Sequence, residues 1–236
     1  MEKGNCCMNV GLIGLGYWGK ILHSKLEKLS DVKFICTSKD TFEDKLDLVE
    51  WVFIATPDET HYDIVEKCIS KGKNVFCEKP LTLDYKQSKS LFELADINNV
   101  NLYVDDVFNY RDEIKKLHTS INYESKIEVK WDTFSTKNYL NRLVYHDLYM
   151  LYPILNGKLS IKWPTINNIS FKYGVSKNAK HQINDINFTH SNKNDDDALM
   201  DMIYKLLNNN VNYDYNRRII LHTDNILEKI RVYHND

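Results

Sequence analysis

The chain has 236 residues, 43% of them hydrophobic and 27% charged, with a formal net charge of -2. These are values of a globular chain long enough to bury one large core or two small ones. Near-neutral charge, dispersed along the chain, argues against a nucleic-acid or anionic-membrane partner, because both select for a concentrated basic face.

The N-terminus, MEKGNCCMNV, has no apolar signal core. No apolar run reaches the roughly 20 residues that span a bilayer, so a cytoplasmic protein is expected. Cysteines fall at positions 6, 7, 36, 68 and 77, an odd number without a disulfide or zinc-ribbon spacing. Small buried hydrophobes in a reducing compartment are expected, and no metal site. The vicinal Cys6-Cys7 pair would need further ligands to hold a soft metal.

Asn9 to Gly14 (NVGLIG) reads as a short strand ending in glycines, and Tyr17 to Leu29 as a helix with Leu22, Leu26 and Leu29 on one face. Val32 to Thr37 and Trp51 to Ala55 are further apolar, strand-like runs, and Ser38 to Glu50 between them holds at most a brief helix around Thr41 to Leu46. Thr60 to Ser70 is helical in pattern and stops at Gly72. Asn74 to Cys77 is the fourth strand, Asp84 to Asp96 a helix, and Asn101 to Phe108 the fifth strand. Regular alternation of helices with nearly continuous apolar strands predicts an α/β fold on a parallel sheet covered on both faces.

The second half reads differently. Lys126 to Phe134 and Ile166 to Tyr173 read as half-buried strands, with Asn141 to Leu155 a helix between them. Helices are also expected over Asp195 to Leu207, its acidic start facing the positive end of the helix dipole, and over Asp224 to Val232. Ser191 to Asn194 reads as an exposed loop. Irregular alternation suggests a smaller α+β domain.

GLGYWG places Gly14, Gly16 and Gly19 between strand and helix. In a dinucleotide-binding loop the first glycine makes the tight turn, the second lets the backbone approach a pyrophosphate, and the third lets helix and strand pack closely. Tyr17 and Trp18 belong to the same loop. The residue that discriminates between cofactors is expected about 20 residues on, where the chain reads Thr37-Ser38-Lys39-Asp40. A hydroxyl pair followed by a lysine favours tolerance of the 2′-phosphate of NADP. The other reading is that Lys39 is solvated and Asp40 holds the ribose.

Three more segments follow in order: ATPDETH (Ala55 to His61), GKNVFCEKPLT (Gly72 to Thr82) and VFNYRDEIKKL (Val107 to Leu117). With the glycine loop, they resemble the glucose–fructose oxidoreductase / inositol dehydrogenase / rhizopine-catabolism family, Gfo/Idh/MocA. The resemblance runs from Val10 to about Leu117, resumes over Arg142 to Gly157, and continues loosely over Asp195 to Val232. It implies a Rossmann dinucleotide-binding domain over residues 1–118. A reduced α+β domain over 119–236 would carry an open, mostly antiparallel sheet for substrate and oligomer contacts. Relatives usually exceed about 300 residues, so the second domain is shortened, within the roughly 50–250 residues of ordinary domains.

By this resemblance Lys79 would contact cofactor and substrate hydroxyl and assist proton transfer. Glu78 would line the nicotinamide pocket, and the Lys79–Pro80 bond would often be cis. Ala55, Thr56, Pro57 and His61 would border the cofactor, His61 in a binding role only, since taken alone it reads as a helix N-terminal residue. His146 matches the family's acid/base histidine, with Asp147 after it. The aspartate normally four residues earlier is replaced by Arg142, which could bind an anionic group. Tyr145 and Tyr149 are alternative proton donors. Asn109, Arg111, Arg142 and Tyr149 are assigned to substrate, and Arg111, Arg142 and Lys137 could meet a diphosphate or carboxylate.

The implied function is an NAD(P)-dependent dehydrogenase or reductase. It would move a hydride between nicotinamide and a hydroxyl or keto carbon of a sugar. The pattern looks most like members acting on nucleotide-linked sugars for surface polysaccharides, and a homodimer or homotetramer is the expected assembly. The alternative is a catalytically degenerate cofactor-binding or regulatory protein of the same fold, motivated by Arg142 and the shortened second domain.

Overall fold

The structure, a computed structural model, describes residues 8–122, 124–133, 139–176, 180–188 and 192–234, without the side chains of 192–196, 233 and 234. The chain divides into two compact units, Met1–Asp105 with Met200–Leu221, and Asp106–Leu199 with His222–Asp236. The crossing at 105/106 precedes the expected boundary at 118/119, and a C-terminal segment returns to the first unit.

The first unit carries β1 (Asn9–Ile13), α1 (Tyr17–Leu29), β2 (Asp31–Cys36), β3 (Trp51–Ile54), α2 (His61–Ser70), β4 (Asn74–Cys77), α3 (Tyr85–Ile97) and β5 (Leu102–Val104). All five strands are parallel, in the order β2-β1-β3-β4-β5. Order reverses at β1, so the switch between β1 and β3 is where such a sheet opens a crevice at its carboxyl ends. The core follows from the apolar runs: all of β3 is buried, and Phe53 packs on Phe76 with ring centroids 5.0 Å apart. The brief helix expected near 41–46 is a 3-10 turn, Glu43–Leu48. The expected strand 101–108 stops at Val104, because Asp105 and Asp106 lead into another 3-10 turn, Val107–Tyr110.

Helices α7 (Asn192–Leu207) and α8 (Tyr213–His234) contribute residues 200–221 to this unit. Asn216, 1% exposed, explains why. Its side-chain amide accepts from Val104 N–H at 3.0 Å and donates to Val104 C=O at 2.8 Å. The amide thus satisfies the edge of β5 as a sixth strand would, meeting the requirement that buried backbone groups be paired. Arg217 donates to Asp96 at 2.6 Å and covers the Phe92 ring. Helix α7 begins at Asn192, so the expected loop at Asn192 to Asn194 is helical, and α8 begins eleven residues before the expected Asp224. Among the described residues, no helix is long and apolar enough to cross a membrane.

The second unit carries α4 (Asp112–Ser120), β6 (Ile127–Thr133), a π turn at Leu140–Val144, α5 (Tyr145–Met150), α6 (Tyr152–Leu155), β7 (Ile161–Lys162), β8 (Thr165–Ile166), β9 (Ile169–Val175), β10 (Lys180–Ile183) and β11 (Ile186–Asn187). Its sheet runs β11-β10-β6-β9-β8-β7, with β6 parallel to β9 and every other pairing antiparallel. This is the open, mostly antiparallel sheet that the resemblance implied. Strand β6 alternates buried and solvent-facing residues, as a half-buried strand must. Asn167 and Asn184 take positive φ in the tight turns before β9 and β11, where asparagine tolerates the left-handed conformation. The expected helix 141–155 is broken at Leu151, ahead of Pro153 at the start of α6.

Candidate functional site

In the first unit, three glycines shape the end of β1. Gly14 has φ +99°, and a Cβ there would lie 2.3 Å from the Ala55 carbonyl oxygen, so only glycine lets the loop after β1 lie against the end of β3. A Cβ on Gly19 would lie 2.1 Å from the Gly14 carbonyl oxygen. A Cβ on Gly16 would meet nothing within 4 Å. Gly16 also precedes α1 as its N-cap, with no side chain capping the helix. Open space beside Gly16, and helix N–H groups that no side chain caps, are what a pyrophosphate requires. The residues present therefore fit a dinucleotide. Tyr17 and Trp18 are 76% and 55% exposed on the first turn of α1, with their rings edge to face.

After β2, Asp40 accepts from the Thr37 backbone N–H at 2.8 Å and from the Thr37 hydroxyl at 2.7 Å. These bonds, the backbone one first, hold its carboxyl below the usual range. Asp40 thus closes its own turn, while Ser38 and Lys39 are exposed.

The Glu-Lys-Pro segment follows β4, and the Lys79–Pro80 bond is cis. His61, fully buried, has Nδ1 2.7 Å from the Pro80 carbonyl oxygen and Nε2 2.9 Å from that of Thr56. It therefore ties the loop after β3 to the loop after β4. Thr82 completes the anchorage through Ser88 and the Asp84 carbonyl, and Asp84 caps α3 through the N–H groups of Lys86 and Gln87. Lys79 stands half-buried on this pinned turn.

Glu78 continues β4 and Asp105 continues β5, one residue past the paired Cys77 and Val104. Both are at least nine-tenths buried. Burial, then the neighbouring Asp105 carboxylate, pushes the Glu78 carboxyl well above its usual range, and a side-chain hydrogen bond joins the two acids. Sequence reasoning missed Asp105; the doublet Asp105-Asp106 at a strand end was the available signal.

In the second unit, α5 buries Tyr145, Asp147 and Tyr149 completely and leaves His146 half-buried. His146 Nδ1 lies 3.0 Å from the Tyr149 hydroxyl, which accepts from Phe108 N–H at 3.2 Å. Asp147 turns the other way. One oxygen accepts from Tyr173 at 2.8 Å, and the other lies 2.7 Å from His181 Nε2. His181 stacks on Trp131 at 3.8 Å. Burial, then the Asp147 carboxylate, pushes the Tyr173 hydroxyl well above its usual range and holds it protonated. Neither Tyr173 nor His181 was found from the sequence: they lie on β9 and β10, far along the chain, and no local pattern marks them.

Two substrate assignments change. Arg111 is 3% exposed, donates to the Phe188 carbonyl at 3.1 Å, pairs with Glu113 and lies over the Phe108 ring, so it serves packing rather than an exposed oxyanion contact. Tyr149 is buried behind His146. Asn109 is half-buried and donates to Asp106 at 3.2 Å; Arg142 is exposed. Lys137 and the Cys6-Cys7 pair lie outside the described residues.

Residues 22–106 match the model of the Gfo/Idh/MocA oxidoreductase family, described as having an NAD-binding Rossmann fold. Over those residues, about a third of its length, the chain is similar to that family. An inositol 2-dehydrogenase/D-chiro-inositol 3-dehydrogenase from Lactiplantibacillus plantarum is 33% identical over 107 residues, 36% of this chain and 31% of its own. Matched segments span 15 to 40% of the curated relatives' lengths. Solved structures cover more. UDP-N-acetylglucosamine 3-dehydrogenase GnnA from Acidithiobacillus ferrooxidans superposes with TM-score 0.77, covering 96% of this chain and 97% of that one at 16% identity. The WlbA dehydrogenase from Thermus thermophilus, solved with NAD and UDP-GlcNAcA, gives 0.69 over 93% and 94% at 15% identity. At such identities the likeness is one of fold.

Proposed function

We propose that this chain is a Gfo/Idh/MocA-type, NAD(P)-dependent oxidoreductase acting at a hydroxyl or keto carbon of a sugar, and that the sugar is nucleotide-linked. The observation that carries the reading is the glycine cradle: an open face over Gly16 beside the uncapped start of α1, at the point where strand order reverses. A nicotinamide bound there would supply the hydride carrier. The chain's own contribution is to hold a proton at the substrate oxygen. Lys79, on a turn pinned by His61 and Thr82, is the proposed proton-handling group of the first unit, and His146 that of the second. The sugar class is supported by what the inositol dehydrogenase, GnnA and WlbA are named for. The 2′-phosphate of NADP is the favoured discriminating group, because Asp40 is engaged within its own turn while Ser38 and Lys39 face solvent.

The test follows absorbance of the reduced nicotinamide with a panel of nucleotide sugars and inositols, under both cofactors. Lys79→Ala is expected to lower turnover by at least about 10²-fold while binding of the reduced cofactor, followed by its fluorescence, stays within a few-fold. Retained turnover overturns the role of Lys79. Binding without redox change across the whole panel points instead to a cofactor-binding regulator.

A further inference from the structure

Tyr149 lies three residues after His146 on α5, a spacing that puts both on one face of the helix. Its hydroxyl meets two groups at once: Phe108 N–H donates to it at 3.2 Å, and His146 Nδ1 lies 3.0 Å away. A phenol carries one proton. Phe108 N–H already supplies a bond that the oxygen accepts, which favours the arrangement in which the phenolic proton is directed at Nδ1. A neutral imidazole that accepts at Nδ1 carries its own proton on Nε2. The ring is further confined by Phe108, edge to face at 4.6 Å, and by Trp131 at 6.1 Å.

We infer that Tyr149 is the positioning residue of His146, fixing the Nε2–H tautomer from behind. This rests on the proposed role of His146 and deepens it. An acid four residues before a histidine could accept from Nδ1–H; Arg142, which stands there, has no acceptor at all. Tyr149 solves the same problem with opposite polarity, as donor rather than acceptor. The ring then offers Nε2–H to a substrate oxygen as a hydrogen-bond donor. Asp147, the nearest carboxylate in sequence, is not the partner, because His181 and Tyr173 occupy its two oxygens.

The experiment is a two-bond ¹H–¹⁵N spectrum of the histidine rings in the full chain, with His146 assigned through His146→Asn, and the same spectrum of Tyr149→Phe. In the wild type the expected pattern for neutral His146 is the pure Nε2–H tautomer. In Tyr149→Phe the two nitrogens shift toward the averaged values of a ring exchanging between tautomers. With a substrate in hand, kcat of Tyr149→Phe falls about tenfold and KM stays within twofold. A wild-type spectrum with the proton on Nδ1, or ring nitrogens unmoved in Tyr149→Phe, overturns the inference. The wild-type spectrum needs neither a variant nor turnover. An inactive protein with the Nε2–H pattern would sink the proposed function and leave the Tyr149 contact standing.

Discussion

The loop around Lys79 and the helix around His146 are held by different means. In the first unit the anchors are backbone groups: His61 reaches the carbonyls of Thr56 and Pro80, and Asp84 caps the N–H groups of Lys86 and Gln87. In the second unit side-chain pairs carry more of the anchorage, although Phe108 N–H reaches Tyr149 and His118 reaches the Met150 carbonyl. Tyr149 holds His146, while Asp147 joins His181 and Tyr173 from two separate strands. A backbone-anchored loop needs its residues at fixed local spacing, and so leaves a short motif. A side-chain network can be assembled from any segments that the fold brings together.

The sharpest break in this comparison is at the backbone-defined end. Gly14→Ala adds a Cβ to a residue at φ +99° and sets it 2.3 Å from the Ala55 oxygen. Strain and overpacking together should cost about 4 kcal/mol and abolish cofactor binding, measured by chemical denaturation and by fluorescence of the reduced cofactor. A variant that melts with the wild type would show that the loop can move away from β3. In the second unit, Asp147→Asn keeps shape but leaves one oxygen for two donors. The expected loss is about 3 kcal/mol, read in the same denaturation experiment. An unchanged midpoint would mean that the His181–Tyr173 network does not hold α5.

This difference in anchorage also decides what could be read in the sequence. Strands β1 to β4 and their helices follow from apolar runs and punctuating glycines; Gly14, Gly16 and Gly19 announce themselves by spacing, and Lys79 and His61 stand in short motifs that the family resemblance picks out. Asn216 could not be found that way, because its use is to replace a missing strand beside Val104, more than a hundred residues earlier. The first half of α8 was missed because tyrosine, asparagine and threonine are poor helix formers. Arg111 sits in a family-like motif, yet its guanidinium is consumed by Phe188 and Glu113. A motif fixes where a residue is in the chain, not which way its side chain is turned.

Acidity offers a gentler probe of the first unit. The Glu78 carboxyl is raised well above 4.5 by burial and by Asp105. A raised folded-state value means that the folded chain holds a proton the unfolded chain releases. Its stabilisation is therefore complete below pH 4.5 and is lost as pH rises through the folded value, opposite to the behaviour of a salt-bridged acid. Denaturation midpoints of the wild type should fall between mildly acidic and alkaline pH more steeply than those of Glu78→Gln. Parallel curves would show that the folded Glu78 carboxyl is not raised.

The smallest expected effect concerns Lys39, and its size is set by exposure. An exposed charge pair contributes roughly 0.2–1 kcal/mol, a factor of about 1.4 to 5 in affinity. Lys39→Ala should therefore lower NADPH affinity by about that factor and leave NADH affinity unchanged, both measured by titration calorimetry at low salt. Asp40→Ala supplies the control. Asp40 closes the turn through Thr37 rather than facing a ribose, so its loss should weaken both cofactors alike. If Asp40→Ala weakened NADH alone, the carboxylate would be leaving Thr37 for a ribose hydroxyl, and the preference assigned to this turn would reverse.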